Sequence, residues 1–127
     1  MRKLLLLLAL ICMLGPANAD ELGMGIHGGT DETSLMLHLR PDLVRMDRAQ
    51  DFRSTQLDFI DEFKHLRAHG PIQFGWKAQD LNPHGVVGNA SLATAEKGRA
   101  VLDLQAAAFV ELCRDIDDFA TARLWKP

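Results

Sequence analysis

The sequence predicts an α/β chain of two short strands and three helices, on three observations. Leu22, Met24 and Ile26 alternate with Gly23, Gly25 and His27; Ile72, Phe74 and Trp76 alternate in the same way; and one apolar stripe runs at helical spacing from Leu102 to Phe119. Period two sends alternate side chains to opposite faces of a strand, whereas a 3.6-residue period keeps them on one face of a helix. With 127 residues, 47% hydrophobic and 24% charged, the chain has the size and balance of one globular domain. Collagen-like, low-complexity and disordered classes are excluded.

The first residues read as an export signal. Arg2 and Lys3 precede an 11-residue apolar run, Leu4 to Leu14, followed by Gly15-Pro16 and Ala17-Asn18-Ala19. A run of that length falls short of the ~20 apolar residues needed to span a bilayer. A basic start, an apolar stretch and small residues at −3 and −1 are the parts of a cleavable secretory signal. Residues 1–19 are therefore expected to be removed, leaving residues 20–127 in the periplasm or secreted. Lipid attachment at Cys12 is disfavoured because Ile11, not a small residue, precedes it.

Loss of Arg2 and Lys3 from the 14 basic residues leaves 12 against 17 acidic ones, a formal charge of −5. That balance argues against nucleic acid or an anionic membrane as a partner. Loss of Cys12 leaves Cys113 alone, so the exported form is expected to have no internal disulfide and no cysteine zinc site. Cys113 lies in an apolar helical pattern and reads as a buried core thiol.

The elements follow in order. The first strand, Leu22–His27, runs into the loop Gly28-Gly29-Thr30, and Thr30 or Asp31 can cap a helix that starts near Glu32. That helix must stop by Arg40, because Pro41 disfavours helical geometry in the residue before it. A second helix is expected over 55–69, with Leu57, Ile60, Phe63 and Leu66 near helical spacing and Gly70-Pro71 as its stop. Ile72–Trp76 is the second candidate strand. After the loop signals Pro83-His84-Gly85 and Gly88-Asn89, Ser91 or Thr94 starts the long amphipathic helix, which reaches about Ala120 and is expected to cover a core.

Residue chemistry singles out His27 and Glu32. A histidine at a strand end, followed by two glycines, sits where α/β folds gather ligand and catalytic groups. Glu32 in the first helical turn can act as a metal ligand or general base, and the helix dipole alone also favours a carboxylate there, by ~0.3–1 kcal/mol. His65 and His69, four apart on the expected second helix, have the spacing of paired metal ligands. No carboxylate lies between them in the metalloprotease pattern, and Lys64 and Arg67 favour a solvated helix face. His38 and His84 read as surface or capping groups. No phosphate-binding glycine loop and no serine-nucleophile turn occurs, and Ser34 is expected to bond locally within its helix.

Two passages carry a family resemblance. His27-Gly28-Gly29-Thr30-Asp31-Glu32-Thr33-Ser34-Leu35-Met36-Leu37, continuing to Arg40-Pro41-Asp42-Leu43-Val44, resembles the creatininase (creatinine amidohydrolase) segment His-Ala-Gly, variable residues, Glu-Thr-Ser, helix and Pro-(Asp/Glu)-Leu-Val. Gly85-Val86-Val87-Gly88-Asn89 with Ala93-Thr94-Ala95-Glu96-Lys97-Gly98 resembles that family's later Gly-Val-x-Gly-Asp-Pro and Ala-Thr-Ala-Glu-Lys-Gly, in the same order. The resemblance implies a partial α/β/α fold with a short, mainly parallel sheet, and hydrolysis of a cyclic amide or related C–N bond. It also implies a zinc- or manganese-dependent site, since a divalent cation makes hydroxide available near neutral pH. Carried over by position, His27 is the catalytic histidine and Glu32 the acidic residue associated with the metal.

The departures matter as much. Gly28 stands for the usual alanine, and Asn89-Ala90 for Asp-Pro, which removes a charge and a rigid turn. The family's Glu-x-His, aspartate and Asn-Gly-His metal motifs, which precede the histidine segment, have no counterpart between Asp20 and His27. The expectation is the C-terminal half of a creatininase-like domain. Most metal ligands are absent from it, so it is incomplete as a single chain and either self-associates or needs a complementing chain. The alternative is a non-catalytic exported remnant or binding module of the same fold.

Overall fold

The computed structural model describes residues 25–124. The expected leader, the cleavage before Asp20 and the first part of the Leu22–His27 strand lie outside the described residues. At the end of that segment His27 makes an isolated antiparallel bridge to Val87, closed by the Val87 N–H to the His27 carbonyl at 2.7 Å and the reverse bond at 3.2 Å. Gly28 then turns the chain with φ +71°, and a Cβ there would lie 2.9 Å from Val86 Cγ1. Both the positive φ and the close Val86 favour glycine at this turn.

Helix α1 spans Thr30–Leu39, with Asp31 and Glu32 in its first turn. It ends where the proline requires: the Arg40 N–H closes on the Met36 carbonyl at 2.7 Å, and Pro41–Leu43 turns as a short 3-10 helix. A second 3-10 turn, Met46–Arg48, leads to strand β1, Asp51–Phe52. Strand β2, Gly88–Asn89, pairs with it antiparallel, Asp51 opposite Asn89 and Phe52 opposite Gly88. The partial α/β class stands, but this ladder is antiparallel, contrary to the mainly parallel sheet expected. Ile72–Trp76, the expected second strand, is committed elsewhere. Its single pairing is a parallel bridge of Gln73 with Arg67, and the Trp76 indole N–H is bound to the Ala68 carbonyl.

Helix α2 spans only Gln56–Glu62, not the expected 55–69. Phe63 is extended, and the Arg67 guanidinium donates to the carbonyls of Phe59 (3.2 Å), Phe63 (2.7 Å) and Leu66 (2.6 Å). A continuing helix would satisfy the Phe63 carbonyl with the Arg67 backbone N–H; here the side chain does so, and the chain turns back. The buried Gln56 amide oxygen receives the Ala68 N–H at 2.6 Å, which fixes the return. After the one-turn helix α3, Ala78–Leu81, the buried core assembles from Ala68, Leu81 and Val87, with Ile26, Phe59, Phe74 and Trp76 packed around it.

Helix α4 spans Ala95–Asp118, capped by the Thr94 hydroxyl, which accepts the Lys97 N–H at 3.2 Å. Of the two expected starts Thr94 is the cap, and Ser91 lies in a 3-10 turn, Ala90–Leu92. Only Gly98 and Val101 of α4 are buried. The stripe of Leu102, Phe109, Leu112 and Ile116 is half-buried, Phe119 is 45% exposed, and Cys113 is exposed rather than the core thiol expected. The reason is length: α1 extends ~15 Å and α4 ~36 Å at 1.5 Å per residue, so α1 can cover only the N-terminal part of α4.

The crossing of α1 and α4 has almost no clearance. A Cβ built on Gly98 would lie 1.9 Å from the Ser34 carbonyl oxygen and 2.4 Å from its carbon. Ser34 is fully buried, and its hydroxyl accepts the Thr94 N–H at 3.1 Å. It bonds across 60 residues, not within its own helix as expected. Glycine inside a helix ordinarily costs ~0.5–1 kcal/mol against alanine. Here the sign reverses: Gly98→Ala is expected to destabilise the chain by about 3 kcal/mol through overpacking. Ser34→Ala is expected to cost ~1 kcal/mol through the lost hydrogen bond. Urea unfolding of the two variants checks both; a more stable Gly98→Ala protein contradicts the crossing.

Candidate active site at the His27 loop

The loop between the His27 bridge and α1 is held from three sides. The Glu32 carboxylate accepts the Gly28 N–H. The Thr33 hydroxyl donates to the Gly28 carbonyl at 3.1 Å, and the Thr33 N–H closes on the Gly29 carbonyl at 3.1 Å. The fully buried Thr30 donates its hydroxyl to the Asn89 carbonyl at 2.7 Å, tying the loop to β2. Four polar residues of this segment thus hold backbone: Thr30 to β2, Glu32 and Thr33 to the loop, Ser34 to α4.

His27 itself is exposed, its backbone fixed by Val87. Imidazole nitrogens can donate or accept a proton, so a histidine on a fixed backbone at a solvent-facing edge can serve as a general acid or base. Glu32 lies five residues on and faces the same loop, but its carboxylate is engaged with Gly28. Asn89 uses its side-chain oxygen to accept the Ser91 N–H at 3.2 Å and the Ser91 hydroxyl at 2.5 Å, a capping role. The donor set bears on whether these residues alone could hold a metal. No group of three or more His, Cys, Asp or Glu side chains able to hold a cation occurs among the described residues, whereas a catalytic zinc normally takes three protein ligands. The described residues do not by themselves fit a zinc or manganese centre.

The other histidines stay apart. His65 and His69 are not on a helix, because α2 ends at Glu62, so they do not share the face their spacing suggests. The Nδ1 atom of His69 is buried without a hydrogen-bond partner. His38 is exposed on α1, and His84 sets its ring edge-on to Phe52 with centroids 5.7 Å apart. Sequence reasoning passed over Arg45 and Arg48. They line an open groove of about 350 Å³ that begins at Gly28, Glu32 and Thr33. Their i, i+3 spacing was the available signal, but only the 3-10 turn over Met46–Arg48 brings the two together.

A partial α/β fold with a histidine loop buttressed onto a crossing helix pair is the class of protein that fold and site define. A family model described as creatinine amidohydrolase matches residues 9–113, and the chain belongs to the creatininase family. It is 36% identical over 78 residues to a creatinine amidohydrolase of Pseudomonas putida; the match covers 61% of this chain and 26% of that protein. It also resembles the crystal structure of a Bacteroides fragilis protein assigned as a creatinine amidohydrolase, with a TM-score of 0.52 and 25% identity. That match covers 77% of this chain and 36% of the other. The chain therefore spans about a quarter to a third of the relatives it matches. The family match begins at residue 9, inside the apolar run that also reads as an export signal.

If Glu32 braces the loop, Glu32→Gln replaces a charge-assisted bond by a weaker neutral one. The expected loss is ~1 kcal/mol of stability, with an upfield shift of the Gly28 amide proton in the ¹H–¹⁵N spectrum. An unmoved Gly28 resonance removes the brace.

Proposed function

We propose that this chain supplies the histidine-loop part of a creatininase-type amidohydrolase that cleaves a cyclic amide or related C–N bond. Hydrolysis adds water across that bond: oxygen goes to the carbonyl carbon, and a proton must reach the departing nitrogen. His27 is the residue assigned to that proton. The observation that carries the assignment is the loop itself, since its hydrogen bonds fix the backbone next to the imidazole while leaving the ring exposed. Glu32 acts by holding Gly28; on the family's pattern it is also the metal-associated carboxylate. The other zinc or manganese ligands come, on this reading, from a complementing chain. A non-catalytic binding module is the competing reading, favoured by the missing three-donor cluster among the described residues.

The test adds a second chain. Co-expressed with the N-terminal part of a creatininase relative and given zinc or manganese, the full chain is expected to hydrolyse creatinine-like cyclic amides. His27→Ala should lower that rate at least ~100-fold, the usual scale of a positioned acid or base. The chain alone is expected to show no turnover with either metal. Undiminished rates in His27→Ala remove the residue from the chemistry, and no activity in the complemented pair favours the binding module.

Export is part of the same proposal. The intact mass of protein recovered from the periplasm or medium is expected to correspond to a chain beginning at Asp20. A retained Met1 assigns the apolar run to the domain, in keeping with the family match from residue 9, and rejects the signal.

A further inference from the structure

The arginines of the Arg40–Arg53 stretch divide into two kinds. Arg40 forks onto Asp42 at 2.9 and 2.7 Å, and Arg53 onto Asp58 at 3.2 and 2.6 Å. These bonds hold both carboxyls below the ordinary aspartate range. Arg45 and Arg48 differ: among the described residues neither guanidinium has an ion pair or a hydrogen bond. Arg45 precedes the 3-10 turn and Arg48 ends it. The Arg48 N–H closes on the Arg45 carbonyl at 3.0 Å, which brings the two residues onto one turn.

The surface at that turn is concave. Both arginines line the 350 Å³ groove that starts at Gly28 and Glu32, and both also line a neighbouring groove of about 610 Å³ bounded by Phe52 and His84. Ala49 and Val86 form an apolar wall common to the two. Two guanidinium groups without protein partners, on one turn and over an apolar wall, are a receptor for a planar oxyanion, which an arginine fork binds in bidentate fashion. Glu32 lines one groove and Asp47 the other, and their charges favour a carboxylate group over the more highly charged phosphate group.

We infer that the Arg45–Arg48 face binds a small carboxylate, so that the amide entering the His27 loop carries one. The substrate clause rests on the amidohydrolase reading; the binding of the anion does not. Titration calorimetry of the full chain at low ionic strength separates the two, using glutarate, its neutral diamide glutaramide, and inorganic phosphate. Saturable glutarate binding is expected, weakened about tenfold or more by Arg45→Gln and by Arg48→Gln. Arg99→Gln on α4 should leave it unchanged, and glutaramide should not bind. Arg48→Lys, which keeps the charge and loses the fork, should fall between wild type and Arg48→Gln. It provides the reading if a glutamine variant loses its cooperative melt. Absent glutarate binding, equal binding of glutaramide, or affinity unaffected in all the Arg45 and Arg48 variants overturns the inference. Phosphate binding tighter than glutarate overturns the carboxylate assignment. Glutarate binding that persists while the complemented chain hydrolyses no amide counts against the amidohydrolase reading and leaves the anion site standing.

Discussion

The structure depends on the contact between the Ser34 backbone and Gly98. Two helices can cross at that distance only if one of them lacks a Cβ at the crossing, and the helix that lacks it is α4. The consequence is local and chemical. Close approach brings the Ser34 hydroxyl to the Thr94 N–H, one of the groups at a helix start that has no partner within the helix. Thr94 in turn caps Lys97. One buried serine thus docks α1 and helps to start α4.

From that crossing the order propagates to the histidine. Ser34 is preceded in the same helix by Thr33 and Glu32, whose side chains hold the carbonyl and the N–H of Gly28, and by Thr30, which reaches β2. The His27 backbone, locked to Val87, stands at the end of this chain of contacts. The two passages that carry the family resemblance are therefore not two separate sites. They are the two sides of one clamp, His-Gly-Gly to Ser34 on one side and Gly88 to Gly98 on the other, with the exposed His27 at its end. Function on this account needs the clamp for position and the groove beside it for the rest of the substrate.

Much of this was legible in the residues, and the failures have physical causes. Pro41 stopped α1 and Thr94 started α4 because each acts on its immediate neighbours. The overlong second helix failed because Arg67 caps the carbonyls of Phe59 and Phe63 from outside the helix, a bond that apolar periodicity does not encode. The Ile72–Trp76 strand failed because alternation does not reveal that an indole N–H is bound to Ala68. Cys113 and Phe119 read as core since the stripe on α4 is regular, but α1 is too short to cover it. In the site, His27 and Glu32 were visible as types and the brace between Glu32 and Gly28 was not. Arg45 and Arg48 acquired a meaning only when a 3-10 turn brought them together.

Native-state amide hydrogen exchange resolved by residue tests the clamp most directly, because it reads local opening free energies along the chain. The account predicts that the amides of Thr33, Thr94 and Gly98 exchange together, as the most protected unit, while those of α4 beyond Cys113 exchange faster. Uniform protection along α4, or a Thr94 amide that opens before its C-terminal turns, contradicts the dependence of the fold on the Ser34–Gly98 crossing.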